Sequence, residues 1–338
     1  MLTFLLLLTV INFLYIHKWI LFCKKYSILS YPSQRGLHHN AVATSGGSIF
    51  IFYLSIILFF FFDGQVNLIY FNIIFFGGFL AIIYGILDDI HNLSALKKFS
   101  AQSFIAIFIL VLNKQGFFLN YLNRDIYYDF FLSYIFLLII FNACNFIDGS
   151  DGTLLLFLLQ LILFFCYFAF VKKVPISSIF FVYIIFPFLI PLFYFNIMKK
   201  IFIGESGSFF IGLFIILVFL YSLNVNILTL HHWLLMGSYF FWDITITFIL
   251  KIILHKFKIF IPHKDHAYQN FIYLNKNHQL FNFIFILFKI FLCFPVVILF
   301  DSDIISFELA FTMLSIPIIF FIITYSPLIR NLVNDRKK

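Results

Sequence analysis

Eleven residues, Asn142-Ala-Cys-Asn145-Phe-Ile-Asp148-Gly-Ser-Asp151-Gly152, bring together two amides, two carboxylates and two glycines. Asn and Asp oxygens suit a hard cation or the edge of a nucleotide base, and glycines let the backbone turn tightly and come close to a ligand. An ordinary turn needs only one or two such residues. A second acidic string, Asp88-Asp89, is followed by Lys97, Lys98 and Gln102. Adjacent carboxylates repel each other, so a cation is expected between them and a substrate; Mg2+ shared with phosphate fits, because it takes oxygen ligands and is usually co-held by substrate. The plainer alternative is a solvated helix end, with Ser94 capping the next helix. A third string, Gly204-Glu205-Ser206-Gly207-Ser208, stands directly before an apolar run. Backbone N–H groups at a helix start make an anion site and Glu205 could bring a metal to it, unless one of the serines simply caps the helix.

Three further positions carry charge in places that ask for a reason. His263, Lys264, Asp265 and His266 are consecutive. No Cys or convincing His partner is expected on the same side of the membrane, so phosphate binding by His263 and Lys264 is preferred to zinc. Arg35, upstream of the Gly46-Gly47 pair, suits a phosphate, while the glycines either grip it or let two helices pack closely. Asp243 lies within an apolar run, where an ionisable group is costly and is expected to be functional or paired with a neighbouring helix.

The segments that must position these residues are long and apolar. Of 338 residues, 63% are hydrophobic and 11% charged, against about 45–50% and about 25% in soluble domains. No soluble fold hides that much apolar surface. Eleven candidate membrane helices are expected, near 3–22, 46–62, 68–87, 99–113, 128–143, 153–171, 176–194, 208–223, 229–250, 283–300 and 304–326, in an all-α polytopic protein. The polar strings all fall at connections on one face. Of the 22 Lys and Arg, seventeen fall in the odd-numbered connections and the C-terminal tail and four in the even-numbered ones, leaving Lys289 inside a helix. Bases collect on the cytoplasmic side, so the N-terminus is expected outside and the C-terminus in the cytoplasm. The net charge of +8 is scattered between hydrophobic runs, which speaks for lipid headgroups and against nucleic acid. The four cysteines lack CxxC spacing and read as packing residues.

In this order, Arg35 with Gly46-Gly47, Asp88-Asp89, the string from Asn142 to Gly152, Gly204 to Ser208 and His263 to His266 resemble the polyprenyl-phosphate N-acetylhexosamine-1-phosphate transferases. These form glycosyltransferase family 4 and include the phospho-N-acetylmuramoyl-pentapeptide transferase of cell-wall synthesis. The resemblance runs over 31–270 within a single domain of 1–338. The string His263-Lys-Asp-His-Ala-Tyr-Gln269 looks most like the branch that begins O-antigen and related glycans. Two departures stand out: Glu205 where the family usually has Asp, and Thr44-Ser45 where Pro-Arg usually precedes the Gly-Gly pair.

The resemblance implies that the phosphate of a polyprenyl phosphate attacks the sugar-linked phosphorus of a UDP-sugar, releasing UMP, at the cytoplasmic face of a bacterial inner membrane. It implies Mg2+, with Mn2+ as the alternative, on Asn145, Glu205 and Asp89. Catalytic roles are expected for Asp88, Asp89, Asp148 and Asp151. Substrate binding is expected of Asn142, His263, Lys264, Asp265, His266, Arg35 and Lys97. The partners are the lipid phosphate, the nucleotide sugar and the membrane, with a homodimer left open. Three rivals remain at this point: a transporter, which would need polar groups near the bilayer midplane, an Asp-rich intramembrane prenyltransferase, which would release pyrophosphate, and a catalytically inactive relative kept as an assembly scaffold.

Overall fold

The computed structural model describes residues 2–30, 41–62, 67–114, 116, 126–255 and 265–329. Apart from a two-residue antiparallel pair, β1 (Leu29–Ser30) and β2 (Val42–Ala43), the regular structure is helical. Among the described residues nine helices are long and apolar enough to cross a membrane, and a tenth is a bent pair. The run expected at 46–62 forms only a shorter apolar helix, Gly46–Phe60. At 1.5 Å per residue it falls short of the roughly 30 Å hydrocarbon core. The described chain divides into two compact units, 2–30 with 41–227, and 228–255 with 265–329.

The first unit contains α1 (Leu2–Lys25), α2 (Phe50–Phe62), α3 (Leu68–His91), α4 (Ala95–Asn113), α5 (Ile126–Ile147), α6 (Thr153–Val171), α7 (Ile176–Ile197) and α8 (Gly204–Asn224). Helix α8 is its axis: 94% of its apolar window is buried, against 17% for α1. A helix apolar all round belongs inside, and α8 presents Phe209, Phe210, Leu213 and Phe214 to different neighbours. Helix α3 meets it with a face of small residues. A Cβ on Gly77 would lie 2.8 Å from Leu213 Cδ1, one on Gly78 3.1 Å from Phe210 Cε2, and one on Gly85 2.2 Å from the Cα of Ser206. Between helices in lipid, where no hydrophobic force drives association, such close backbone packing supplies the dispersion energy.

The second unit contains α9 (Leu230–Met236), α10 (Ser238–His255), α11 (Ala267–Asn275), α12 (His278–Asp301) and α13 (Phe307–Tyr325). The single span expected at 229–250 is instead α9 and α10, which meet at 75°. The bend frees carbonyls at the end of α9, and the buried ammonium of Lys289 on α12 donates to the Met236 carbonyl. That contact compensates both the broken helix and a charge inside an apolar span. Trp242 Nε1 donates to Ser315 Oγ at 2.8 Å, tying α10 to α13.

Candidate active site

In the first unit the polar strings converge because each sits at a helix end on one face. Helix α3 carries Asp88-Asp89 in its last turn and stops at Asn92, which is left-handed (φ 49°) and returns its N–H to the Asp88 carbonyl at 2.8 Å. Carboxylates at a helix C-terminus oppose the helix dipole, so local stability does not account for them. The chain then turns within three residues into α4, which sets Lys98 beside Asp88. The Lys98 ammonium lies 2.5 Å from Asp88 Oδ2 and 2.7 Å from Glu205 Oε1. The other oxygen of Asp88, which is 3% exposed, accepts the Leu93 N–H at 2.7 Å. Glu205 Oε2 in turn accepts the amide of Asn145 at 2.6 Å. Asp88, Lys98, Asn145 and Glu205 therefore line one pocket, together with Tyr84, Gln102, Phe141 and Phe209.

Asp89 turns the other way. Its Oδ1 accepts the Glu205 N–H at 2.9 Å, and its Oδ2 accepts the hydroxyls of Ser45 at 2.8 Å and Ser206 at 3.2 Å. The anion site expected at the start of α8 is thus filled by the protein's own carboxylate, delivered from α3. Gly204, at φ +74°, makes the turn into the helix; a Cβ there would sit 2.4 Å from Asp89. The Gly46-Gly47 pair likewise spends its N–H groups internally, on the carbonyls of Phe202 and Ile203 at 3.0 Å each. A Cβ on Gly47 would lie 2.1 Å from the nitrogen of Gly207, so the pair serves close packing and not phosphate binding.

The turn after α5 carries Asp148 and Asp151. Gly152, at φ 82°, starts α6, and its N–H donates to Asn196 Oδ1 at 2.5 Å, while the Asn196 amide donates to the Ile201 carbonyl at 2.8 Å. Asn196 so staples the turn to the end of α7. Lys199 stands 4.0 Å from Asp151. The Asp148 carboxyl has no hydrogen-bond or ion-pair partner among the described residues. Burial, then the charges of Glu205, Asp89 and Asp151, hold its pKa well above the usual carboxylate range. Among the described residues no three His, Cys, Asp or Glu side chains form a ready-made metal site.

Several expected positions come out differently. Lys97 is exposed outside the pocket, and the place expected of it is held by Lys98. The clue was one turn further on: buried Gln102 shares a helix face with residue 98, not 97. Asn142 is half-buried and faces Gln102. Asn196 and Lys199 escape the sequence reading, since a single Asn and a pair of lysines at the end of an apolar run carry no spacing signal, and Ser45 stands out there only as a departure from the family pattern. Arg35, His263 and Lys264 lie outside the described residues. His266 and Asp265 belong to the second unit. His266, expected to bind substrate, is buried at 3% exposure with Nδ1 3.5 Å from Asp243 Oδ2, whose Oδ1 accepts the Ala267 N–H at 3.0 Å. The intramembrane Asp243 therefore anchors the start of α11. Asp265 is half-exposed and lies 3.9 Å from Lys251.

The model of glycosyl transferase family 4 matches residues 71–223, a stretch that includes every residue lining the pocket. The chain is also 28% identical over 326 residues, 93% of its own length and 87% of the relative's, to a probable undecaprenyl-phosphate N-acetylglucosaminyl 1-phosphate transferase of Bacillus subtilis (strain 168).

Proposed function

Because residues 71–223 match the model of glycosyl transferase family 4, we propose that the protein moves an N-acetylhexosamine-1-phosphate from a UDP-sugar to a polyprenyl phosphate. UMP leaves, and the product begins a lipid-linked surface glycan of the O-antigen kind. The observation that carries the reading is the ammonium of Lys98 held between Asp88 of α3 and Glu205 of α8, in a pocket lined by polar side chains and by the rings of Tyr84, Phe141 and Phe209. Phosphoryl transfer needs positioning and charge neutralisation more than a covalent nucleophile, and that arrangement supplies both. The Bacillus relative's name joins undecaprenyl phosphate to N-acetylglucosaminyl 1-phosphate, which supports the acceptor and the sugar. The excess of Lys and Arg in the connections on the motif-bearing side supports a site at the cytoplasmic face, where nucleotide sugars are made.

An oxygen of the lipid phosphate attacks the sugar-linked phosphorus of the donor; its bond to the bridging oxygen of the UMP half breaks as the new P–O bond forms. The acceptor needs little help losing a proton, because a second phosphate pKa near 6 leaves it largely ionised at neutral pH. Asp88 orients Lys98 and the incoming phosphate, and Lys98 stabilises the charge that builds on the transferred group. Asp148 and Asp151 hold the donor.

The residues also fit Mg2+. Asp148 is a crowded carboxylate without a cation, and Glu205 and Asn145 face each other beside it. Mg2+ is ordinarily held by one or two carboxylates plus substrate phosphates, so the lack of a complete cage suits it. Glu205, Asn145 and Asp148 would hold the ion, which when bound neutralises the diphosphate. Asp89, with both oxygens engaged by donors, supports Glu205 from behind. The test is purified protein with polyprenyl phosphate, Mg2+ and a panel of UDP-sugars, followed by UMP release. Release with an N-acetylhexosamine donor, lost on chelation and restored by Mg2+, is the expected result. No UMP from folded protein with any donor overturns the reading.

A further inference from the structure

One turn beyond Lys98 on α4, Gln102 sits on the same helix face and lines the same pocket, only 9% exposed. Its orientation is set by a neighbour. The Asn142 amide nitrogen donates to the Leu138 carbonyl at 2.8 Å, one turn back on α5, and to Gln102 Oε1 at 3.1 Å. Asn142 must present nitrogen to a backbone carbonyl, so Gln102 must present oxygen to Asn142. Its NH2 group is thereby turned away from α5, and it has no acceptor among the described residues. A second polar group in the same wall is similarly unmatched: the Tyr84 hydroxyl is buried without a hydrogen-bond partner. Buried donors are nearly always satisfied, so the Tyr84 hydroxyl, with the unpaired Gln102 amide in the same pocket lining, calls for an acceptor that binds there.

The position selects which acceptor. Gln102 lies about 6 Å along α4 from Lys98, away from the helix end, among the rings of Tyr84, Phe141 and Phe209. These three rings offer the first isoprene units of a lipid an apolar surface beside the polar group of Asp88, Lys98, Asn145 and Glu205. We infer that Gln102 binds the phosphate of the acceptor lipid, donating a neutral hydrogen bond that seats it next to Lys98, with the Tyr84 hydroxyl as a second donor. This rests on the reading of the protein as a polyprenyl-phosphate transferase. A neutral donor suits the place, because the Lys98 charge is already shared by Asp88 and Glu205 and the amide adds a hydrogen bond to the phosphate without a further charge.

The experiment measures UMP release in detergent while polyprenyl phosphate and UDP-N-acetylglucosamine are varied separately, for wild type, Gln102→Glu and Gln102→Met. Gln102→Glu keeps the acceptor that Asn142 needs but points an anion at the phosphate; Gln102→Met keeps the volume and removes both functions. The expected result is a KM for the lipid raised about tenfold to a hundredfold, with the KM for the nucleotide sugar within about twofold and larger effects in Gln102→Glu. A thermal melt identifies a variant that has lost its fold, and the other variant then decides. An active wild type whose variants keep the lipid KM, or shift the nucleotide-sugar KM instead, overturns the role of Gln102 alone. A wild type that releases no UMP overturns the proposed function itself.

Discussion

Gly85 offers the sharpest test of how the site is assembled. Adding one methyl group there places a carbon 2.2 Å from the Cα of Ser206, where ordinary contact begins at 3.4 Å. The obstruction is backbone, which cannot rotate aside, so α3 and α8 must separate locally by about 1.2 Å. Overpacking of this kind costs about 1–3 kcal/mol or more. The displacement falls one turn from Asp88 and directly on the start of α8, so it loosens the Asp88–Lys98–Glu205 bridge, now held at 2.5 and 2.7 Å. Misplacing reacting groups by about 1 Å costs on the order of 100-fold in rate. Gly85→Ala is therefore expected to lower kcat for UMP release about 100-fold and to lower the melting temperature in detergent. The control is Gly212→Ala on α8, the helix that Gly85 packs against, where the added carbon meets the Phe141 ring at 3.0 Å. A side chain can yield, so this variant should keep most activity. A Gly85→Ala protein with wild-type melting and kcat within twofold would refute the close-packed geometry on which the site depends.

Replacing Lys98 by Met removes the bridging charge and should cut kcat about 100- to 1000-fold, whereas Lys97→Ala, at an exposed position, should stay within about twofold in the same UMP assay. Asp148 has a folded pKa raised above its ordinary 3.8 by burial first and by neighbouring acids second. Its contribution to stability is accordingly full below about that ordinary value and is lost as pH rises through the raised folded value. Metal-free wild type should melt lower as pH increases through that range, and Asp148→Asn should flatten the dependence, melt higher at pH 8 and lose transferase activity. A melting curve for Asp148→Asn that tracks wild type across pH would count against the crowded carboxylate. Asp89→Ala removes the acceptor for the first N–H groups of α8 and should cost about 1 kcal/mol, read as faster hydrogen exchange at residues 205 and 206.

Much of this was readable from residue order alone. Length and apolarity specified the membrane helices, since nothing else can satisfy a backbone in lipid. What they could not show was the bend at Gly237, because the Met236 carbonyl beside it is satisfied by Lys289, fifty-three residues later in the sequence, and residue order does not show that the two meet. The short helix at 46–60 was equally hidden: its composition is that of a span and only its length differs. Within the site, Asp88, Asn145 and Glu205 were visible because each belongs to a string with more carboxylates, amides or glycines than a turn or cap needs. Asp89 carried the same signal, yet the geometry gives it a different task, capping α8 from a distant segment. Lys98 was obscured by its equally basic neighbour, and only the helical phase shared with Gln102 separates the two. Asn196 was invisible because a single Asn at the end of an apolar helix predicts nothing until the turn it staples is known.

The central claim is that this pocket transfers a sugar together with its phosphate. The most direct measurement uses UDP-N-acetylglucosamine labelled on the phosphate next to the sugar, incubated with purified protein, polyprenyl phosphate and Mg2+. The account predicts that the label moves to the lipid while unlabelled UMP appears in equal amount. Label remaining on the nucleotide as UDP, with the sugar alone on the lipid, would contradict it.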